Sequence, residues 1–131
     1  MLEAGRAFAY MLRGGELVTL TGGLGAGKTL FCKGVLEGLG YQGDVPSPTF
    51  TIMNHYAPPD TRVAVIHADL YRLNSLDELQ ELGMLDSDDG DTVSLVEWPE
   101  QGGDAFSHAR FRISIAVTDE NSRILTIEEN I

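Results

Sequence analysis

The stretch "TLTGGLGAGKTL", Thr19–Leu30, sets four glycines, an alanine and the chain's first lysine directly after an apolar run. Its spacing, Gly22-x-x-x-x-Gly27-Lys28-Thr29, is the phosphate-loop pattern, and each part has a physical reason. Glycines admit positive φ, and with no β-carbon they let backbone N–H groups curl around phosphate oxygens. A helix beginning at the lysine aims its N-terminal N–H groups at the same anion. Lys28 then reaches the β- and γ-phosphates, and the Thr29 hydroxyl is placed to ligate Mg²⁺. A helix terminus supplies only about 0.3–2 kcal/mol towards an anion, so a triphosphate also needs the lysine and a metal.

The flanks suit that loop. "ELVTLT" (Glu16–Thr21) fits a buried strand. "KTLFCKGVLEGLG" switches to helical spacing, with Phe31, Val35 and Leu39 on one face and Gly40 where a helix stops. Neither lysine, Lys28 or Lys33, sits in an Asn/Thr-Lys-x-Asp tetrapeptide of the kind that reads guanine. ATP is therefore the expected nucleotide.

The whole chain, 131 residues, fits a single domain over 1–131. Twenty acidic against nine basic residues give a formal charge of −11, which disfavours direct, unaided binding to RNA or DNA. No apolar run approaches the ~20 residues needed to span a bilayer. "MLEAGRAFAYMLRGG" is broken by Glu3, Arg6 and Arg13, which argues against a secretory leader and for an amphipathic helix with Leu2, Phe8 and Leu12 inward. A lone cysteine, Cys32, fits a reducing, cytoplasmic setting and a buried filler role.

Beyond the loop, strands are expected at about Thr49–Tyr56, within "RVAVIHADLY" and in "TVSLVEW" up to Glu97. Ser75 and Glu78 have capping-box spacing for a short helix. Phe111, Ile113, Ile115 and Val117 alternate with more polar residues, and "RILTIE" alternates again, which predicts an antiparallel hairpin. Together these give an α/β, P-loop NTPase-type fold: a mainly parallel central sheet flanked by helices, with antiparallel C-terminal strands.

Two carboxylates, Asp69 in "HADLYR" and Glu97 in "LVEWPE", end apolar runs where ligands of open α/β sheets sit. They are candidates for holding the metal and orienting the attacking water. Ser47 and Thr49 of "SPTF" offer hydroxyls for a γ-phosphate-sensing switch loop, or simply form a turn. His55, His67 and His108 show no metal-ligand spacing, and His67 reads as a packed strand histidine in preference to one that lines the nucleotide site. Trp98 fits core or interface equally.

Taken in order, "GGLGAGKT", "GYQGDVPSPTFTI", "HADLYRL", "LDELQELG" and "LVEWPEQG" resemble the bacterial tRNA threonylcarbamoyladenosine biosynthesis ATPase family TsaE, also called YjeE, over about Gly14 to Gly102. The resemblance implies weak ATP hydrolysis with Mg²⁺ in support of threonylcarbamoyl transfer to tRNA, together with the TsaD and TsaB proteins. It implies that Gly25, Ala26, Gly27, Lys28, Thr29 and Leu30 wrap the phosphates. Thr29 and Glu97 would hold Mg²⁺, with Asp69 helping to place metal or water. Ser47 and Thr49 would form the switch loop, and Trp98 would lie beside the metal. Two positions depart from the family: Leu30 replaces a usual second threonine, and Gly23 replaces a larger residue. The rival readings are a small-molecule P-loop kinase, for which Arg72, Arg110 and Arg112 are the available phosphate-covering arginines, and a nucleotide-regulated scaffold.

Overall fold

Short β-branched and leucine runs supply the strands, and the one long run of helical spacing supplies the main helix. The computed structural model describes residues 1–45, 53–73, 75–81 and 90–130. In chain order the elements are α1 (Leu2–Phe8), β1 (Leu17–Thr21), α2 (Lys28–Gly38), β2 (Met53–Tyr56), β3 (Val65–Asp69), α3 (Leu76–Glu81), β4 (Val93–Glu97), β5 (Phe111–Asp119) and β6 (Ser122–Glu129). Tight 3₁₀ turns at Ala9–Met11 and Pro99–Phe106 follow α1 and β4. None of the described helices is long and apolar enough to cross a membrane.

The strands form one sheet in the order β2-β3-β4-β1-β5-β6. The four inner strands run parallel. The C-terminal hairpin pairs antiparallel, as its alternation predicts. A second antiparallel edge, β2 on β3, was not legible in the pattern. The start of that strand at Thr49 lies outside the described residues. Every residue of β3 is buried, as expected for a strand covered on both faces.

Alternation along the inner strands divides two cores. On one side Val18, Leu20, Val65, Leu95 and Ile113 meet Phe8, Phe31, Val35 and Leu36 from the helices. On the other, Ala68, Val96, Leu70, Leu79 and Phe106 pack together. Burying each large apolar side chain contributes about 1.5–3 kcal/mol. Phe8 lies edge-on to Phe111 at 5.0 Å between ring centroids, which ties α1 to the sheet. Phe8 and Leu12 face inward as predicted, and Leu2 is half-buried. Val117 departs from expectation: it is 53 % exposed, because the apolar alternation of β5 outruns the core, which ends at Ile115.

Both helix boundaries obey local chemistry. Gly40 has φ +108°, its N–H donates to Glu37 O at 3.0 Å, and Tyr41 N–H donates to Leu36 O at 2.9 Å. This pair of bonds is the Schellman stop. At α3, Glu78 N–H donates to Ser75 Oγ at 3.3 Å, the predicted cap.

α1 crosses α2 at backbone distance. A β-carbon on Gly34 would strike Leu2 O, and one on Gly5 would strike Phe31 O. Nothing flexible stands there to move aside. Gly34→Ala is therefore expected to destabilise the fold by on the order of 3 kcal/mol, as overpacking against main chain does. Urea unfolding at unchanged m-value measures it, and an unshifted midpoint would contradict this close crossing.

Candidate functional site

The loop between β1 and α2 is shaped by backbone that only glycine adopts easily. Gly25 has φ +74° and Gly27, the residue capping α2, has φ +110°. A β-carbon on Gly22 would press on Ile115 O at 2.7 Å, so that position is closed to larger residues. Gly23 has open space around it, and a side chain there would be accommodated. The first α2 bond runs from Phe31 N–H to Gly27 O, so the N–H groups of Lys28, Thr29 and Leu30 precede the helical ladder. No acidic residue occupies the first turn to compete with an anion.

Leu24 through Leu30, with Asp69, Glu97 and Trp98, line an open cleft of about 260 Å³. The sheet register builds its acidic wall. Asp69 and Glu97 are direct partners at the carboxyl ends of β3 and β4, and Leu20 of β1 stands on the other side of Glu97. Past these ends, Leu70 N–H donates to Glu97 O at 3.0 Å and Trp98 N–H to Leu20 O at 3.3 Å, which locks the strand ends together.

Glu97 is the best-held side chain of the group. The Thr29 hydroxyl donates to Glu97 Oε1 at 2.9 Å and lies 3.2 Å from Oε2. His67 Nε2 stands 2.6 Å from Oε2, and both side chains are almost wholly buried. A nitrogen so close to a carboxylate carries the proton, so His67 donates through Nε2. His67 Nδ1 has no partner among the described residues.

The charges lie close together. Lys28 Nζ donates to Gly22 O at 2.6 Å and Gly23 O at 3.0 Å, and sits 4.0 Å from the centre of the Trp98 ring. Burial lowers the Lys28 ammonium below its ordinary value, opposed by Glu97, Asp69 and Glu100. Burial raises the Asp69 carboxyl; the Tyr71 N–H, bonded to Oδ1 at 2.9 Å, pulls it back, and the neighbouring Glu97 charge raises it further. Trp98 adopts a left-handed backbone (φ 59°, ψ 50°) and packs on Tyr71 with ring centroids 4.9 Å apart.

Of the residues singled out from the sequence, Gly25, Ala26, Gly27, Lys28, Thr29, Leu30, Asp69 and Glu97 gather at this one cleft, and Gly22 is joined to it through its carbonyl. Ser47 and Thr49 lie outside the described residues. Trp98, which its position alone left open between core and interface and which the resemblance put beside the metal, is part of the wall. His67 is packed in its strand as read, yet its bond to Glu97 was missed; a histidine two residues before a strand-end acid was the available signal. Cys32, His67 and Glu97 also bring ligand atoms within 4.8 Å of one another, a grouping that no sequence spacing announced. Burial, with Glu97 and Asp69 adding to it, pushes the Cys32 thiol well up, so it stays protonated and fits the filler role.

Residues 1–125 match the family described as threonylcarbamoyl adenosine biosynthesis protein TsaE. The chain belongs to the TsaE family. Proteins named tRNA threonylcarbamoyladenosine biosynthesis protein TsaE include one from Streptomyces coelicolor, 43 % identical over 116 residues, which cover 88 % of this chain and 78 % of that one. Another, from Haemophilus influenzae, is 36 % identical over 98 % of this chain and 84 % of its own length. The Bacillus subtilis relative is 39 % identical over 90 % of this chain and 72 % of its own. Among solved structures, Bacillus subtilis YdiB superposes with a TM-score of 0.74 at 33 % identity, over 96 % of this chain and 76 % of that chain. This TsaE-family chain thus takes part, by family, in threonylcarbamoyladenosine biosynthesis, and its α/β sheet is that of a solved relative.

In this TsaE-family site a raised Asp69 means that ionising it costs more in the folded chain than in the unfolded one. Its contribution to stability is fully present below the ordinary value of 3.8 and is lost as pH rises through the folded value. Asp69→Asn, which keeps an oxygen for Tyr71 N–H, is therefore expected to raise Tm at pH 7 in EDTA. The advantage should shrink as pH falls towards the ordinary carboxyl range. Calorimetry across pH checks it, and a lower Tm at pH 7 would reverse the assignment.

Proposed function

We propose that this chain is a Mg²⁺-dependent ATP-binding and ATP-hydrolysing subunit of the tRNA threonylcarbamoylation machinery, acting in the cytoplasm with TsaD and TsaB. The observation that carries the nucleotide reading is the Thr29–Glu97 contact at the start of the helix that follows the glycine loop. A hydroxyl and two carboxylates form an all-oxygen donor set, which suits a hard cation such as Mg²⁺. When bound, Mg²⁺ would supply neutralisation of phosphate charge. Thr29 offers its oxygen lone pairs to the cation while its proton rests on Glu97. Lys28 donates to phosphate oxygens, and Asp69, beside Glu97 at the strand ends, orients water.

Size argues for a division of the nucleotide. Whole small-molecule sites run to about 300–1,000 Å³, so the cleft suits the phosphate end, with adenosine held outside it. The −11 formal charge supports delivery of tRNA by the partner proteins rather than by this surface. The kinase reading finds no support among the described residues. Arg110 is bonded to Glu129 and Arg112 to Ser107 O, and neither they nor Arg72 line the cleft.

Lys28→Ala is expected to lower ATP turnover by about 10²–10³ with the fold retained, the scale of losing one preorganised electrostatic donor. Phosphate-release assays decide it, and near-full turnover would remove the site. Reconstitution tests the wider role: repeated formation of the modified nucleoside should require this chain and ATP alongside TsaD and TsaB. Equal modification without the chain would overturn it.

A further inference from the structure

We infer that His67 is the positioning residue for Glu97: from behind the cleft it fixes one carboxylate oxygen, so that the other faces the cation beside Thr29. This rests on the Mg²⁺–ATP reading above and deepens it. The sheet places the ring. His67 lies opposite Leu95, and one repeat along the same face Asp69 lies opposite Glu97, so the imidazole reaches Glu97 diagonally across the strand pair. It does not line the cleft and so has no direct access to a ligand there.

The need for such a residue follows from the carboxylate itself. The terminal torsion of a glutamate is broad and roughly two-fold, so Glu97 could turn either oxygen towards Thr29. The Thr29 hydroxyl lies within reach of both, at 2.9 and 3.2 Å, and does not choose between them. The 2.6 Å contact from His67 Nε2 to Oε2 does, leaving Oε1 paired with Thr29. It is a charge-assisted bond shut away from water, where such bonds are strongest. With Nδ1 unpartnered among the described residues, the bond to Glu97 is the polar contact that justifies burying an imidazole there.

The test is ATP turnover against free Mg²⁺, with calorimetry of ATP in EDTA as the second arm. His67→Leu should raise the half-saturating Mg²⁺ about 10–100-fold, the usual cost of losing a group that orients a metal ligand. ATP affinity in EDTA should not change, and His67→Gln, which keeps an N–H at similar reach, should recover most of the loss. A wild-type Mg²⁺ requirement in a folded His67→Leu protein would overturn the assignment while leaving the nucleotide reading intact. Absence of MgATP binding by the wild-type chain would overturn both. Should His67→Leu fail to fold, imidazole ¹⁵N NMR of the wild-type chain decides. A proton on Nε2, with a signal that moves when MgATP is added, supports the role; a proton on Nδ1 alone, or a signal indifferent to MgATP, overturns it.

Discussion

A carboxylate only 2 % exposed must have its charge answered inside the protein, and the answer given to Glu97 organises the whole mouth of the sheet. Two donors reach it from separate elements, Thr29 from the helix and His67 from the neighbouring strand. Lys28 and Asp69 stand close enough to be perturbed by it, one stabilised as a cation and the other hindered as an anion. The chain thus carries a concentration of charge that burial opposes, at the cleft where the proposed cation and phosphate would relieve it. Such local cost at a site is what function commonly demands of stability.

The apolar remainder of the fold holds that arrangement in register. Glycines at the α1–α2 crossing let two helices meet main chain to main chain. The first residue reaches the loop itself: a β-carbon on Gly27 would lie 3.3 Å from Met1 Cγ. The loop is therefore braced by the core on one side and closed against Ile115 O on the other.

What was legible in the sequence was what local rules govern. The Gly22–Thr29 loop, the stop at Gly40 and the cap at Ser75 are each decided within a few residues, and each was readable. So was the gathering of Asp69 and Glu97, because parallel strands present their carboxyl ends together. The antiparallel turn of β2 was not, since strand direction depends on pairing rather than on pattern. Nor was the His67–Glu97 bond, which joins residues 30 positions apart; an imidazole between apolar neighbours looks like packing until its partner is known. The helix crossing was hidden for a similar reason. Gly5 and Gly34 look like weak helix residues, and only their mutual approach gives them a purpose.

Alternate residues on one face of β3 pass from Val65 to His67 to Asp69, and on β4 from Val93 to Leu95 to Glu97, a gradient from oil to chemistry along each strand. Packing and reactivity therefore share a single reading frame. Inserting or deleting one residue within β3 would put His67 and Asp69 on the opposite side of the sheet, away from Glu97, and would bury the wrong side chains in both cores. Evolution can retune the wall of this cleft by substitution, but a change of length inside these strands would forfeit fold and chemistry in one step.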